Sequence, residues 1–348
     1  IQRKTVGVDT DNNAADFEFV DKPTPQGSGN SSQPNTPSTP PSTPVQPPAP
    51  QPSTDVIAIA DIQGTGEATP LEGKVVKTFG VVTASYPTGG FNGFYLQTPG
   101  SGGGEIPAAS QGIFVYTGSA PTVEVGKCYE VTGTAGEYNG LTQLSKTSAI
   151  VNQAAGCQAA KPVELTKLPT DTEKERLEGM LVLPKGTYTI TNNYQLNQYG
   201  QLGLAFGDQP LYVATEKVLP GKDADAYEAE NLKKYITLDD GSSWNYQKNQ
   251  TAQASALPYL SQDTPMRTGA KVTFDKPVIL DYRFQWNFQP TGHVVGAKSQ
   301  FIPFKSQNTR PETPPSVGGD IQIASFNVLN YFTDLGKDES DCKSYDDR

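Results

Sequence analysis

The chain has 348 residues, 35% of them hydrophobic, with 34 glycines, 29 prolines and a formal net charge of −10. That composition is low in apolar residues for one compact globule, lacks an overall basic field for nucleic acid, and suits small β domains on open linkers. No run approaches the roughly 20 apolar residues of a membrane-spanning helix.

The chain opens on polar sequence at Ile1-Gln2-Arg3-Lys4, so a secretory signal would lie upstream. Residues 1–22 hold short apolar fragments around Asp9, Asp11, Asn12, Asn13 and Asp16. That run lacks the glycine and bidentate Glu of an EF-hand loop and reads as a polar turn. So short a piece cannot form a core and reads as the end of another domain. Residues 23–54 contain eleven prolines and no charge, which predicts an extended linker reaching up to roughly 90–100 Å.

Residues 55–161 read as a β domain. Strands are predicted at 73–86, 93–99, 111–118, 126–138 and 140–151, rich in Val, Ile, Thr, Tyr and Phe between turn signals such as Glu137-Tyr138-Asn139-Gly140. Five strands in so short a span fit an OB-like barrel, with a kink at Gly80 letting the first strand serve both halves. Residues 162–305 read as a second β-barrel-like (OB-like) domain with insertions. Within it, 176–194 is expected to form a long strand or bent pair, and 221–235 is the helical candidate. Residues 306–319 are a second Pro-rich linker. The segment 320–348 opens on Ile321–Phe332, expected to be a buried strand of a further domain continuing past Arg348.

Cys128 and Cys157, 29 positions apart, are a plausible disulfide in an oxidising compartment, whereas Cys342 lacks a partner and is expected to pair outside the chain. The single histidine, His293, excludes a complete two-histidine zinc or nuclease site and reads as structural or solvated. Lys74, Lys77, Lys127 and Lys146 are a candidate nucleic-acid patch, with an ordinary solvated surface as the plainer reading. Tyr282, Phe284, Trp286 and Phe288 alternate as a base-stacking platform would, or as one face of a core strand.

From Arg310 onward the sequence resembles the ExeM/NucH-type bacterial extracellular endonucleases, with Ala324–Phe332 similar to the entry strand of their catalytic domain. Other pieces agree in order. Gln2–Phe17 resembles the closing strands of a lamin-tail-like domain. The segments at 80–99, 111–116 and 131–144 resemble the family's OB-fold region, and 177–182 and 236–243 resemble the β region that follows. The resemblance implies an α/β endonuclease/exonuclease/phosphatase domain beginning at 320. It implies a secreted or surface-attached enzyme that hydrolyses phosphodiester bonds of extracellular DNA by metal-assisted attack of water. It also implies that Asn327 ends the first catalytic strand and helps arrange the divalent metal (Mg, Ca or Mn) and the phosphate.

The remaining catalytic residues are expected downstream, so this chain alone is expected to bind no metal cofactor and cut no DNA. The catalytic domain would be its partner in cis. The alternative is an extracellular adhesion or glycan-binding protein presenting aromatics such as Tyr95, Tyr138 and Trp286.

Overall fold

A computed structural model describes Gln2–Arg3, Phe17–Glu18, residues 56–325 and Asn327. The chain divides into two units, Ile1–Ala49 and Pro50–Arg348. In the first, β1 (Gln2–Arg3) pairs antiparallel with β2 (Phe17–Glu18). The calcium-loop-like run Asp9–Asp16 and the linker residues 23–54 lie outside the described residues.

The second unit begins with a short helix, α1 (Ile59–Gln63), and five strands: β3 (Val75–Tyr86), β4 (Gly93–Gln97), β5 (Gly112–Tyr116), β6 (Cys128–Tyr138) and β7 (Leu141–Asn152). These close into a barrel in the order β3-β4-β5-β7-β6. β3 pairs with β6 over Val75–Val81 and with β4 over Val81–Tyr86, so one long strand serves both halves. The crossing point falls at Gly80, where a Cβ would lie 3.0 Å from Leu96 Cβ and 3.1 Å from the Gln97 carbonyl oxygen. Asn139 and Gly140 turn the β6–β7 hairpin with φ of 54° and 83°, as a two-residue Asn-Gly turn requires. Ile59, Ile62, Phe94, Leu96, Ile113 and Val131 are among the side chains that fill the barrel. A disulfide joins Cys128, at the start of β6, to Cys157 beyond β7, with Cα atoms 5.6 Å apart.

The rest of the unit is a mixed sheet with surface helices. In chain order it comprises β8 (Val163–Leu165), α2 (Asp171–Glu175), β9 (Leu181–Pro184), β10 (Tyr188–Asn192), α3 (Leu196–Tyr199), β11 (Leu202–Phe206), α4 (Lys222–Leu232) and β12 (Tyr235–Leu238). There follow α5 (Gln250–Gln253), β13 (Lys271–Phe274), β14 (Val278–Tyr282), β15 (Trp286–Gln289) and β16 (Phe304–Gln307). The sheet runs β16-β13-β10-β11-β12-β15-β14-β9-β8 and does not close into the second barrel expected from the sequence. One face buries Tyr188, Leu204, Ile236, Leu280 and Phe288. On the other, Leu181 and Ile279 pack with Tyr86, Tyr95 and Phe114 of the barrel. Apolar area that closure would have buried is thus buried against the barrel instead.

Three local expectations also change. The segment 176–194 divides into β9 and β10, which occupy separate places in the sheet. The predicted helix appears as α4, with no buried residue. Ile321–Ser325 forms no strand, and Ile321 and Ile323 are 81% and 91% exposed. A strand needs a ladder partner and a covering face, and the described residues supply neither here. No helix among the described residues is long and apolar enough to cross a membrane.

Candidate ligand-binding cleft

The hairpin of β14 and β15 carries polar residues on its barrel-facing side. Asp281 stands opposite Asn287 and Ile279 opposite Gln289, while Leu280 and Phe288 point into the sheet's own core. Side chains alternate across a strand, so this polar row would face water on an isolated sheet. Here the barrel covers it: Asp281, Asn287 and Gln289 are at most 1% exposed.

Burying a carboxylate requires partners. Asp281 Oδ2 accepts the Tyr95 hydroxyl of the barrel and, at 2.9 Å, Nε of Arg283. The Arg283 guanidinium lies over the rings of Phe91 and Phe114, 4.1 and 4.5 Å from their centroids. Although burial alone would push its pKa down, the Asp281 carboxylate and Tyr95 hold it above the ordinary arginine value. Arg283 is therefore a fixed cation between barrel and sheet, with its charge largely answered by Asp281.

Above this layer opens a cleft of about 580 Å³, lined by residues that include Tyr138, Tyr199, Asp239, Trp244, Arg283 and Phe284. Phe284 is 78% exposed, and its φ of 62° is a strained backbone for an aromatic residue. The Arg283 amide donates to the Gln285 carbonyl at 3.0 Å, which forms the tight turn that presents the ring. A smaller hollow of about 240 Å³ on the barrel side is likewise lined by Phe91, Tyr138, Ser243 and Arg283.

The floor is shaped by the Asp239-Asp240 pair that follows β12. Burial raises both pKa values, and for Asp240 the neighbouring Asp239 charge raises it further. Asp240 is well satisfied, by the Ser242 amide at 2.9 Å, the Ser242 hydroxyl at 3.1 Å and the Tyr246 hydroxyl at 2.7 Å. Asp239 Oδ2 accepts from Gln289 Nε2 at 2.8 Å. His293 packs edge-on against Trp244, with ring centroids 4.8 Å apart, and its Nδ1 lies 3.0 Å from the Thr88 hydroxyl. Burial lowers its pKa to about 4, so the ring is neutral and structural.

The chain matches no known family model, curated protein or solved structure.

The residues singled out from the sequence are mostly elsewhere. Asn327 is exposed, and Cys342 lies outside the described residues. Lys74 immediately precedes β3 and Lys127 lies beside Val82 in its second half, the two bonded through their carbonyls to Ala135 and Val82. They are separated by about eight residues of strand, on the order of 26 Å. Lys77 is paired with Glu130 at 3.1 Å. Lys146 is exposed on β7. Lys127 thus stands apart from Lys74 along the strand.

Of the aromatic quartet, Tyr282, Trp286 and Phe288 share the core face of the hairpin, the plainer of the two readings, and Phe284 alone leaves it. Tyr282 and Trp286 pack edge-on across the hairpin at 5.2 Å, Phe288 is core, and Phe284 stands out at the turn. Of the aromatics proposed as exposed contacts, Tyr95 is fully buried, Trp286 is half-buried and Tyr138 is 55% exposed at the cleft.

Sequence reasoning missed Arg283, Asp239 and Trp244. For Arg283 the signal was the neighbouring polar row Asp281, Asn287, Gln289 alternating with apolar residues in strands otherwise rich in core side chains.

Proposed function

We propose that this chain is the non-catalytic front part of a secreted, metal-dependent nuclease acting on extracellular DNA, and that its barrel and second sheet position the catalytic domain. The observation that carries this reading is the strand order β3-β4-β5-β7-β6, with β5 and β7 parallel. That is the Greek-key arrangement of an OB barrel, found at the place where the nuclease resemblance calls for one. The Cys128–Cys157 disulfide supports an oxidising, extracellular setting. Asn327 and the metal chemistry belong to the catalytic domain on this reading. A plasmid-cleavage assay with Mg²⁺, Ca²⁺ or Mn²⁺ tests it. This chain leaves plasmid intact, and a chain extending past Arg348 into the catalytic residues cuts it. Cleavage by the 348-residue chain itself would overturn the assignment.

The cleft favours a second reading, that of glycan recognition. Exposed Tyr138, Tyr199 and Phe284 offer flat apolar faces, while Gln201, Ser242, Ser243 and Asp239 offer hydrogen-bonding groups. Its one cation, Arg283, is already paired, and Asp239 repels phosphate. Neutral sugars suit such a lining better than a phosphate backbone does. Titrating Trp244 fluorescence with oligosaccharides and with single-stranded DNA at low salt separates the two. Quenching by sugar alone favours glycan recognition, and salt-sensitive quenching by DNA favours a nucleic-acid surface.

A further inference from the structure

We propose that Asp239, Asp281, Asn287 and Gln289 form a calcium site buried between the second sheet and the barrel. Four side-chain oxygens there, Asp239 Oδ1, Asp281 Oδ1, Asn287 Oδ1 and Gln289 Oε1, are buried with no donor in hydrogen-bonding geometry, although the Gln201 side chain and the Asp240 amide lie close enough to Asp239 to favour its charged form. All four residues are at most 4% exposed. Native proteins rarely leave one such acceptor unpaired, and four together on one sheet face ask for a positive group.

The register brings them together. Asp281 is directly opposite Asn287 across β14 and β15. Gln289 is two positions along the same face of β15. Because Leu238 pairs with Phe288 in parallel register, the next residue of that chain, Asp239, comes beside Gln289. Directly opposite Cβ atoms on a sheet face are about 5 Å apart and diagonal ones about 7–8 Å, so Asn287 and Gln289 stand between the two carboxylates, which a cation would join across β15.

Turning the amides over does not supply the missing donors. Gln289 Nε2 donates to Asp239 Oδ2 at 2.8 Å, and Asn287 Nδ2 donates to the Gln285 carbonyl at 2.7 Å. Rotating either would set an oxygen against an oxygen, so both amide oxygens are held as acceptors. The charge balance agrees: two carboxylates face one guanidinium, that of Arg283, which occupies only Asp281 Oδ2.

The chemistry of the ligands selects the ion. The set is all oxygen, two carboxylates and two amides, with no imidazole or thiolate, which suits a hard cation rather than zinc or copper. It holds fewer than three acidic, histidine or cysteine ligands, in line with no such triad gathering among the described residues. Calcium accepts six to eight oxygens in flexible geometry, including amide oxygens, and the cleft bordering Asp239 admits waters to complete the shell. Two carboxylates correspond to the weak, millimolar class of site found in extracellular modules.

The full chain is melted in EDTA and in millimolar CaCl2, and terbium luminescence is excited through the tyrosines, of which Tyr95 touches Asp281. The expected result is a Tm that rises with calcium and a terbium signal that calcium competes away. Both effects are lost in Asp239→Asn and retained in Asp208→Asn, an exposed control. A far-UV circular dichroism spectrum of Asp239→Asn that matches the wild type guards against a variant that merely misfolds. No calcium dependence in the wild type, or an equal response in Asp239→Asn, overturns the proposal. The first result would mean that waters or a proton satisfy the four oxygens, and the second would mean that calcium binds elsewhere on the acidic chain.

Discussion

Tyr95 of the barrel donates its hydroxyl to Asp281 of the second sheet, across a sequence separation of 186 residues. This bond joins two β layers that each have a core of their own. Around it, Tyr86 donates to the Pro290 carbonyl at 2.7 Å, and Arg283 spans from Asp281 to the barrel rings. Tyr95→Phe keeps the ring among Tyr86 and Phe114 but removes one donor from a buried carboxylate. Hydrogen bonds to charged groups contribute about 1.5–3 kcal/mol, and urea unfolding is expected to show a loss in that range. Unchanged stability would mean that Arg283 alone satisfies Asp281.

The Cys128–Cys157 bond closes a 29-residue loop around β6 and β7. On the chain-entropy model its loss costs about 3–4 kcal/mol. The double variant Cys128→Ala, Cys157→Ala is expected to melt well below the wild type. Reductant should lower the wild-type melting temperature and leave the double variant unaffected.

Phe284 gives a case in which stability and binding separate. Its φ of 62° costs roughly 1–2 kcal/mol for a residue with a Cβ, and its ring is mostly in solvent. Phe284→Gly is expected to leave stability unchanged or raise it by up to about 1 kcal/mol. The same variant should weaken binding of whichever ligand quenches Trp244. A clear loss of stability would show that the ring packs more than its exposure indicates.

Two groups give stability opposite pH slopes. Burial, then the charges of Glu67 and Glu137, raises the Glu175 pKa to about 7. The folded state therefore holds this proton more tightly than the unfolded chain, so the contribution is full below pH 4.5 and lost as pH rises through 7. Glu178, raised chiefly by burial and then by Glu175, acts in the same direction. His293 is the reverse: with its pKa lowered to about 4, its contribution is full above pH 6.5 and is lost as pH falls toward 4. Melting curves across pH 4–8 are expected to steepen on the acid side in Glu175→Gln and to flatten there in His293→Gln. A Glu175→Gln profile that superimposes on the wild type would show that the raised pKa has no bearing on folding.

At Gly112 and Gly179 the backbones of barrel and sheet approach each other closely. A Cβ on Gly112 would lie 2.3 Å from the Gly179 carbonyl group, with no side chain able to yield. Gly112→Ala is expected to cost at least the 1–3 kcal/mol typical of overpacking, measurable as a lower urea midpoint. Tolerance of alanine would mean that the two layers slide apart readily.

Much of the local structure follows from the sequence alone. Stretches rich in Val, Ile, Thr, Tyr and Phe between turn signals mark β3 to β7, Asn139-Gly140 dictates a hairpin turn, and the spacing of Cys128 and Cys157 makes a disulfide plausible, because each depends on residues near in sequence or on a covalent bond. What covers a strand's second face does not follow in this way. Asp281, Asn287 and Gln289 alternate with core residues and read as a solvent face. Period-two patterning distinguishes the two faces of a strand without saying what lies against either one. Only the tertiary structure set the barrel over that face, turned an ordinary polar row into a buried cluster of carboxylates and amides, and kept the second sheet from closing. The reason is physical: the apolar area of Leu181 and Ile279 is buried against Tyr86, Tyr95 and Phe114, a contact between residues far apart in the sequence that no local propensity encodes.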